Sequence, residues 1–222
     1  MRRSYSTITC CDTLPADAMK YKRFAIKIIA SCALFLGVTG LFSACSPQQA
    51  AFASVDVTGA EYAQGFELTD HNGQLRHLTD FVGKVVVVFF GYTQCPDVCP
   101  TSMSELAEVK KALGKDGDRL QGLFVTVDPQ RDTPELLKAY MVNFDPTFLA
   151  LYTTPDKLND LAKDYKIYFK RVDGKTPTSY TMDHSAGSYV YDTKGHLRLF
   201  TRYGMGAKAL TEDVRILLRQ AS

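Results

Sequence analysis

The sequence lacks a surplus of either charge. Its 222 residues carry 26 basic and 24 acidic side chains, a formal net charge of +2. Such a balance offers no field for a polyanion, and no Lys/Arg cluster interleaved with aromatics stands anywhere after residue 45, so nucleic-acid binding is disfavoured. There is no internal repeat and no low-complexity tract, which removes solenoids, arrays and disordered tails. The main apolar run of the N-terminal region, Ile28 to Phe42, is short of the roughly 20 residues that span a bilayer. Histidine is scarce, four in all, and cysteine numbers six. That scarcity confines any soft metal site to few combinations. What remains is an ordinary globular composition, 45% hydrophobic and 23% charged, long enough for one domain with a sizeable core.

The charge that does exist is unevenly placed. Residues 1–45 hold six basic side chains (Arg2, Arg3, Lys20, Lys22, Arg23, Lys27) against Asp12 and Asp17. Taking these from the chain totals of 26 and 24 leaves 20 basic and 22 acidic residues in 46–222. The basic cluster Lys20–Arg23, the apolar stretch after it and the small residues before Cys45 form the pattern of an export signal. The ending Phe42-Ser43-Ala44-Cys45 resembles a bacterial lipoprotein box, with Phe42 where Leu is usual. A lipid-bearing Cys45 is the first expectation, and an uncleaved anchor or plain cleavage are the alternatives. We therefore divide the chain into an export signal over 1–44, a lipid-attachment Cys and membrane tether over 45–62, and a folded domain over 63–222. Residues 1–18 stand ahead of a complete signal and read as a mis-set start. The expected location is the periplasmic, outer face of a bacterial cell membrane. In that oxidising compartment an idle cysteine pair forms a disulfide. Cys10, Cys11 and Cys32 go with the signal. If Cys45 carries lipid, only Cys95 and Cys99 are left as thiols.

Along the domain, hydrophobic patterning alternates between strand and helix. "FELTDHNGQLRHLTDF" predicts a hairpin around Asn72-Gly73. "KVVVVFFGY" and "LQGLFVTVD" are apolar runs without alternation, the mark of strands buried on both faces. Met103, Leu106, Val109 and Leu113 fall at helical spacing from Thr101 to Leu113, with Pro100 in the first turn. Thr133-Pro134 and Thr154-Pro155 each open a helix with an N-cap and a proline at the first helical position. "FLALY" and "IYFKRV" predict strands, "GKTPTSYTMDH" a polar loop, and "SYVYDTKGHLRLF" a hairpin at Lys194-Gly195. A final helix runs from about Lys208 to Gln220. This order predicts an α/β fold, a central mixed sheet flanked by helices with an N-terminal β-hairpin extension. The cysteine pair between the first buried strand and its helix makes that fold thioredoxin-like.

The chemistry gathers at "GYTQCPDVCPTSM", Gly91–Met103. A helix N-terminus favours the thiolate, which is both the nucleophile and the metal ligand. A spacing of four sets the sulfurs of Cys95 and Cys99 one helical turn apart, on one side. The pair is open to three readings: a structural disulfide, a redox couple, or part of a metal site. A disulfide within one turn constrains little chain. Thiol peroxidase chemistry is disfavoured, because the positions that would hold its Pro and Thr/Ser are Tyr92 and Pro96 before Cys99, and Val88 and Tyr92 before Cys95. A metal needs a third ligand. His71, His77 and His196 read as solvated turn or surface residues. His184 lies in the connection that thioredoxin-like folds bring beside the cysteines, without the proline usual there. Two thiolates and an imidazole suit Cu(I) and also take Cu(II). A structural zinc would want a fourth ligand, and Met103 belongs to the apolar stripe of its helix.

Together, "GYTQCPDVCPTSM", "VTVDPQRDTPELLKAY" and "YTMDHSAGSYVYD" resemble the Sco/SenC family of copper-binding proteins, over about Phe66 to Leu218. The resemblance implies maturation of cytochrome c oxidase, with Cys95, Cys99 and His184 as copper ligands. It places the Asp128-Pro129 loop, with Arg131 and Asp132, near the site, Asp128 as a supporting residue. The implied function is a copper metallochaperone for the dinuclear copper (CuA) site of oxidase subunit II or another copper protein. The alternative is a thiol-disulfide reductase that keeps the recipient's cysteines reduced. Either role draws on a thiol reductant and on an N-terminal membrane anchor.

Overall fold

Seven consecutive residues with no exposed member, Val85–Gly91, form strand β4 at the middle of the molecule. The computed structural model describes residues 51–176 and 179–220, so the stretch read as an export signal, Cys45 and the first residues of the stretch read as a tether lie outside the described residues. The strands before β4 are β1 (Val55–Asp56), β2 (Glu67–Asp70) and β3 (Leu75–His77). After it come helix α1 (Val98–Ala112), β5 (Leu120–Thr126), α2 (Pro134–Met141), β6 (Leu149–Tyr152) and α3 (Pro155–Tyr165). The chain ends with β7 (Phe169–Asp173), β8 (Tyr180–His184), β9 (Ser188–Tyr191), β10 (Leu197–Thr201) and α4 (Ala207–Gln220).

Eight strands make one mixed sheet in the order β1-β10-β9-β4-β5-β6-β2-β3. β4, β5 and β6 run parallel, which requires the crossovers that α1 and α2 supply. β9 closes antiparallel on β4, Val87 opposite Val190. Because side chains alternate across a strand, consecutive aromatics serve opposite faces. Phe89 meets Phe124, which meets Tyr140 of α2. Phe90 turns the other way onto Tyr165 of α3 and Tyr189. On that second face the Tyr191 hydroxyl donates to the Ala63 carbonyl at 2.7 Å and meets the Tyr165 hydroxyl at 3.0 Å. Phenols buried this deeply are tolerated because each finds a partner. The thioredoxin-like expectation of a central mixed sheet flanked by helices holds.

Several local expectations change. Of the stretch 45–62 read as attachment and tether, residues 53–57 join the domain. Val55 and Asp56 pair with Phe200 and Leu199 of β10. The Ala53 and Ser54 N–H groups donate to the Asp213 carboxylate at 2.8 and 2.9 Å, and Asp213 is buried on α4. A two-residue strand has no period to read, and the Asp213 that anchors it lies 160 residues from Ala53. The first hairpin also turns one residue earlier than expected. Gly73 N–H donates to the Asp70 carbonyl at 2.8 Å, so His71-Asn72 are central and Gly73 follows at φ +81°, the pattern of a three-residue loop ending in a left-handed glycine. The same device recurs at Asp192–Gly195. In each, the Asp accepts two loop N–H groups and pairs with an Arg six residues on, Asp70 with Arg76 and Asp192 with Arg198. The shared pattern D-x-x-G-x-L-R is legible in the sequence once that geometry is known.

Candidate metal centre

The chain leaves β4 at Gly91 and turns sharply before α1. A Cβ on Gly91 would lie 2.8 Å from the Cys99 sulfur, 2.8 Å from the Phe89 ring and 2.9 Å from the Phe124 ring. Only glycine lets Cys99 pack this closely under the strand end. α1 begins at Val98, so Cys99 joins Pro100 in its first turn. Cys95 does not share that helix. It stands in the loop ahead, its N–H donating to the Tyr92 carbonyl at 3.2 Å. The sulfurs meet through a loop-to-helix turn rather than through one helical turn. The loop is fixed by Asp132, whose carboxylate accepts the Thr93 N–H at 3.1 Å and the Thr93 and Thr126 hydroxyls at 2.6 Å each. Burial nonetheless pushes the Asp132 carboxyl above its ordinary range.

His184 closes the site from the other side. It is not in a loop, as expected, but ends β8, which pairs with β7 in a separate two-stranded ribbon, Phe169 opposite His184. The alternation of Tyr180, Met182 and His184 against exposed Thr181 and Asp183 carries that strand. His184 Nδ1 lies 2.9 Å from the Ser185 carbonyl oxygen. A carbonyl only accepts, so Nδ1 carries the proton and Nε2 presents its lone pair. Nε2 faces the Cys99 sulfur at 3.4 Å. The ring is held edge-on by Phe89 and Tyr92, centroids at 6.1 and 5.8 Å. Burial lowers the His184 pKa, which favours the neutral, ligating imidazole.

Among the described residues, Cys95, Cys99 and His184 are the His/Cys/Asp/Glu group able to hold an ion, their ligand atoms all within 4.8 Å of one another. Both cysteines are free thiols, Cys95 half-buried and Cys99 fully buried. Burial pushes the Cys99 thiol far up, only partly offset by a backbone hydrogen bond from Tyr92. Asp128 stands outside the trio. It pairs with Arg131 Nε and accepts the Tyr180 hydroxyl at 2.9 Å. Met103 is fully buried in the core. His71 is half-buried and has a structural role beyond a solvated turn: its Nδ1 accepts the Ala150 N–H at 3.1 Å, stitching the first hairpin to β6. His77 and His196 lie beside Glu67 and Asp192 at the surface. Sequence reasoning missed Gly91 and the anchoring part of Asp132; a glycine closing a buried strand just before a cysteine loop is the available signal for the first.

The sequence model of the family described as SCO1/SenC matches residues 55–219. The chain belongs to the SCO1/SenC family. Among relatives of this SCO1/SenC chain, the SCO2-like protein of Rickettsia felis is 32% identical over 183 residues, covering 80% of this chain and 89% of that protein. The mitochondrial SCO2 homolog of Bos taurus is 34% identical over 162 residues, 70% of this chain and 60% of the bovine protein. Of solved structures, Bradyrhizobium japonicum ScoI with copper bound is 39% identical with a TM-score of 0.62, covering 68% of this chain and 96% of that one. Yeast Sco1 with copper bound is 31% identical, TM-score 0.62, covering 68% and 84%.

Proposed function

We propose that this protein is a copper metallochaperone that carries one copper ion on Cys95, Cys99 and His184. It delivers the ion to the dinuclear copper (CuA) site of cytochrome c oxidase subunit II or to another copper protein. The observation that carries the reading is the aimed imidazole: Nε2 at 3.4 Å from the Cys99 sulfur, with Nδ1 tied back to Ser185. Two thiolates and a neutral imidazole are a soft donor set that suits Cu(I) and also accepts Cu(II). A closed structural zinc site would want four protein ligands. The copper-bound relatives from Bradyrhizobium and yeast support the same cargo. Delivery proceeds by ligand exchange, the recipient's thiolates replacing these ligands one at a time, beginning where half-buried Cys95 meets solvent. Asp128 supports the site by holding Arg131 and Tyr180. Export through residues 1–44 and lipid on Cys45 place the domain at the outer face of a bacterial cell membrane, where a thiol reductant regenerates the dithiol.

Cu(I) titration at several pH values tests this. Ligation needs thiolates, while burial keeps the Cys99 thiol protonated, so binding expels protons. Affinity should rise with pH by up to about tenfold per unit for each proton released, at one copper per chain. A flat profile would contradict thiolate ligation.

A second reading has one observation in its favour: a half-buried thiol within 4.8 Å of a buried one where a loop enters a helix. In a thiol-disulfide reductase Cys95 attacks the recipient's disulfide, and Cys99 then displaces it. The recipient gains two electrons and a Cys95–Cys99 disulfide forms. That chemistry requires both cysteines and not His184, so insulin-disulfide turnover that ignores loss of the imidazole marks it.

A further inference from the structure

Arg131 touches none of the three candidate ligand atoms, yet it bonds to both segments that carry them. Its Nη1 donates to Gln94 Oε1 at 3.2 Å, one residue before Cys95. The same nitrogen donates to the Tyr180 carbonyl at 2.9 Å, on the strand that ends in His184. Its Nε donates to Asp128, which also accepts the Tyr180 hydroxyl at 2.9 Å. The guanidinium carbon lies 3.5 Å from the Tyr180 ring centroid and 5.7 Å from that of Tyr92, the ring that stands at right angles to His184. The Arg131 side chain is only 15% exposed.

The ribbon has need of such a link. β8 pairs with β7, and the two form a sheet apart from the main one. Four of the five β7 residues are exposed. At its base Ser185 N–H on the Tyr168 carbonyl and Tyr168 N–H on the Ser185 hydroxyl, at 2.9 and 3.0 Å, join the ribbon's two strands to each other, and Phe169 and Met182 rest against the core. The imidazole's distance from the sulfurs therefore depends on what holds the ribbon to the cysteine loop. A planar guanidinium with a fork of donors can bond two loops and stack on a ring at once, which an ammonium cannot.

We propose that Arg131 is a positioning residue: it clasps the His184 ribbon to the Cys95 loop and so sets how firmly the imidazole stays on the metal. This rests on the copper reading above. Opening the clasp withdraws the nitrogen ligand and leaves the ion on two sulfurs, the state a recipient thiolate most readily takes over.

A double-mutant cycle on the full-length protein tests it, with Cu(I) affinity measured by chelator competition for wild type, Arg131→Lys, His184→Ala and the pair. Arg131→Lys should lose about tenfold, as loss of an outer partner of a ligand does, and should lose nothing more once His184 is Ala. Equal losses in both backgrounds would show an action through charge or general stability and overturn the proposal. A metal-free readout runs beside it: amide hydrogen exchange of the reduced apo protein should quicken over 180–184 in Arg131→Lys while β4 and β5 stay protected. Unchanged protection there overturns the clasp even if wild type and His184→Ala bind copper equally, a result that would refute the copper reading alone. If Arg131→Lys does not fold, Gln94→Ala severs the solvent-side arm, with a smaller loss of about threefold that must likewise vanish without His184; a loss that persists overturns the clasp.

Discussion

His184→Ala should lower Cu(I) affinity by roughly 100-fold or more, about 2.7 kcal/mol or above, while leaving both thiols and the fold in place. The reason is geometric. The imidazole is the nitrogen in a group whose ligand atoms all lie within 4.8 Å, and no fourth His, Cys, Asp or Glu joins it among the described residues. Removing the partner of a ligand already costs 10–100-fold in typical sites, and removing the ligand itself exceeds that. The variant leaves Cys95 and Cys99 able to act as a dithiol. Competition titration of reduced wild type and variant reads the difference directly. Unchanged affinity would take His184 out of the site and leave the reductase as the surviving reading.

Gly91→Ala should damage both stability and copper binding, although residue 91 is no ligand. The new methyl would come within 3 Å of the Cys99 sulfur and of the rings of Phe89 and Phe124. None of these can move freely: Cys99 is fixed in the first turn of α1, and both rings are fully buried. Overpacking of this kind costs about 1–3 kcal/mol. For a domain of this size that lowers Tm by roughly 3–10 °C. Phe89 also meets the His184 ring, so the disturbance reaches the sulfur and the imidazole together. Gly65→Ala is the control. A Cβ there meets nothing within 4 Å, and both quantities should stay unchanged. A Gly91→Ala protein with wild-type Tm and affinity would show that the strand end yields, and that the close approach is not needed.

How much of this was legible in the sequence depended on how local the cause is. The apolar runs of β4 and β5 and the Thr-Pro starts of α2 and α3 are written within a few residues, and they stand where expected. β1 was hidden because two residues have no period and its anchor, Asp213, lies at the other end of the chain. β8 read as a polar loop because its ribbon is exposed, so the hydrophobic alternation that reveals a half-buried strand is weak. Spacing alone sets Cys95 and Cys99 on one helical turn. The structure brings them together differently, because α1 starts between them. The partnership of the cysteines with His184 is a product of topology, 85 residues apart for Cys99. Donor chemistry nominates His184, and the family resemblance implies it as a ligand. In the sequence Arg131 stands only as a neighbour of the site, since its bonds to Gln94 and Tyr180 join segments that no spacing relates.

X-ray absorption of the Cu(I)-loaded protein tests the central claim most directly. Two sulfur neighbours and one imidazole nitrogen around a single copper are the expected result, with the nitrogen lost in His184→Ala. A wild-type spectrum showing sulfur alone, identical to that of the variant, would contradict it.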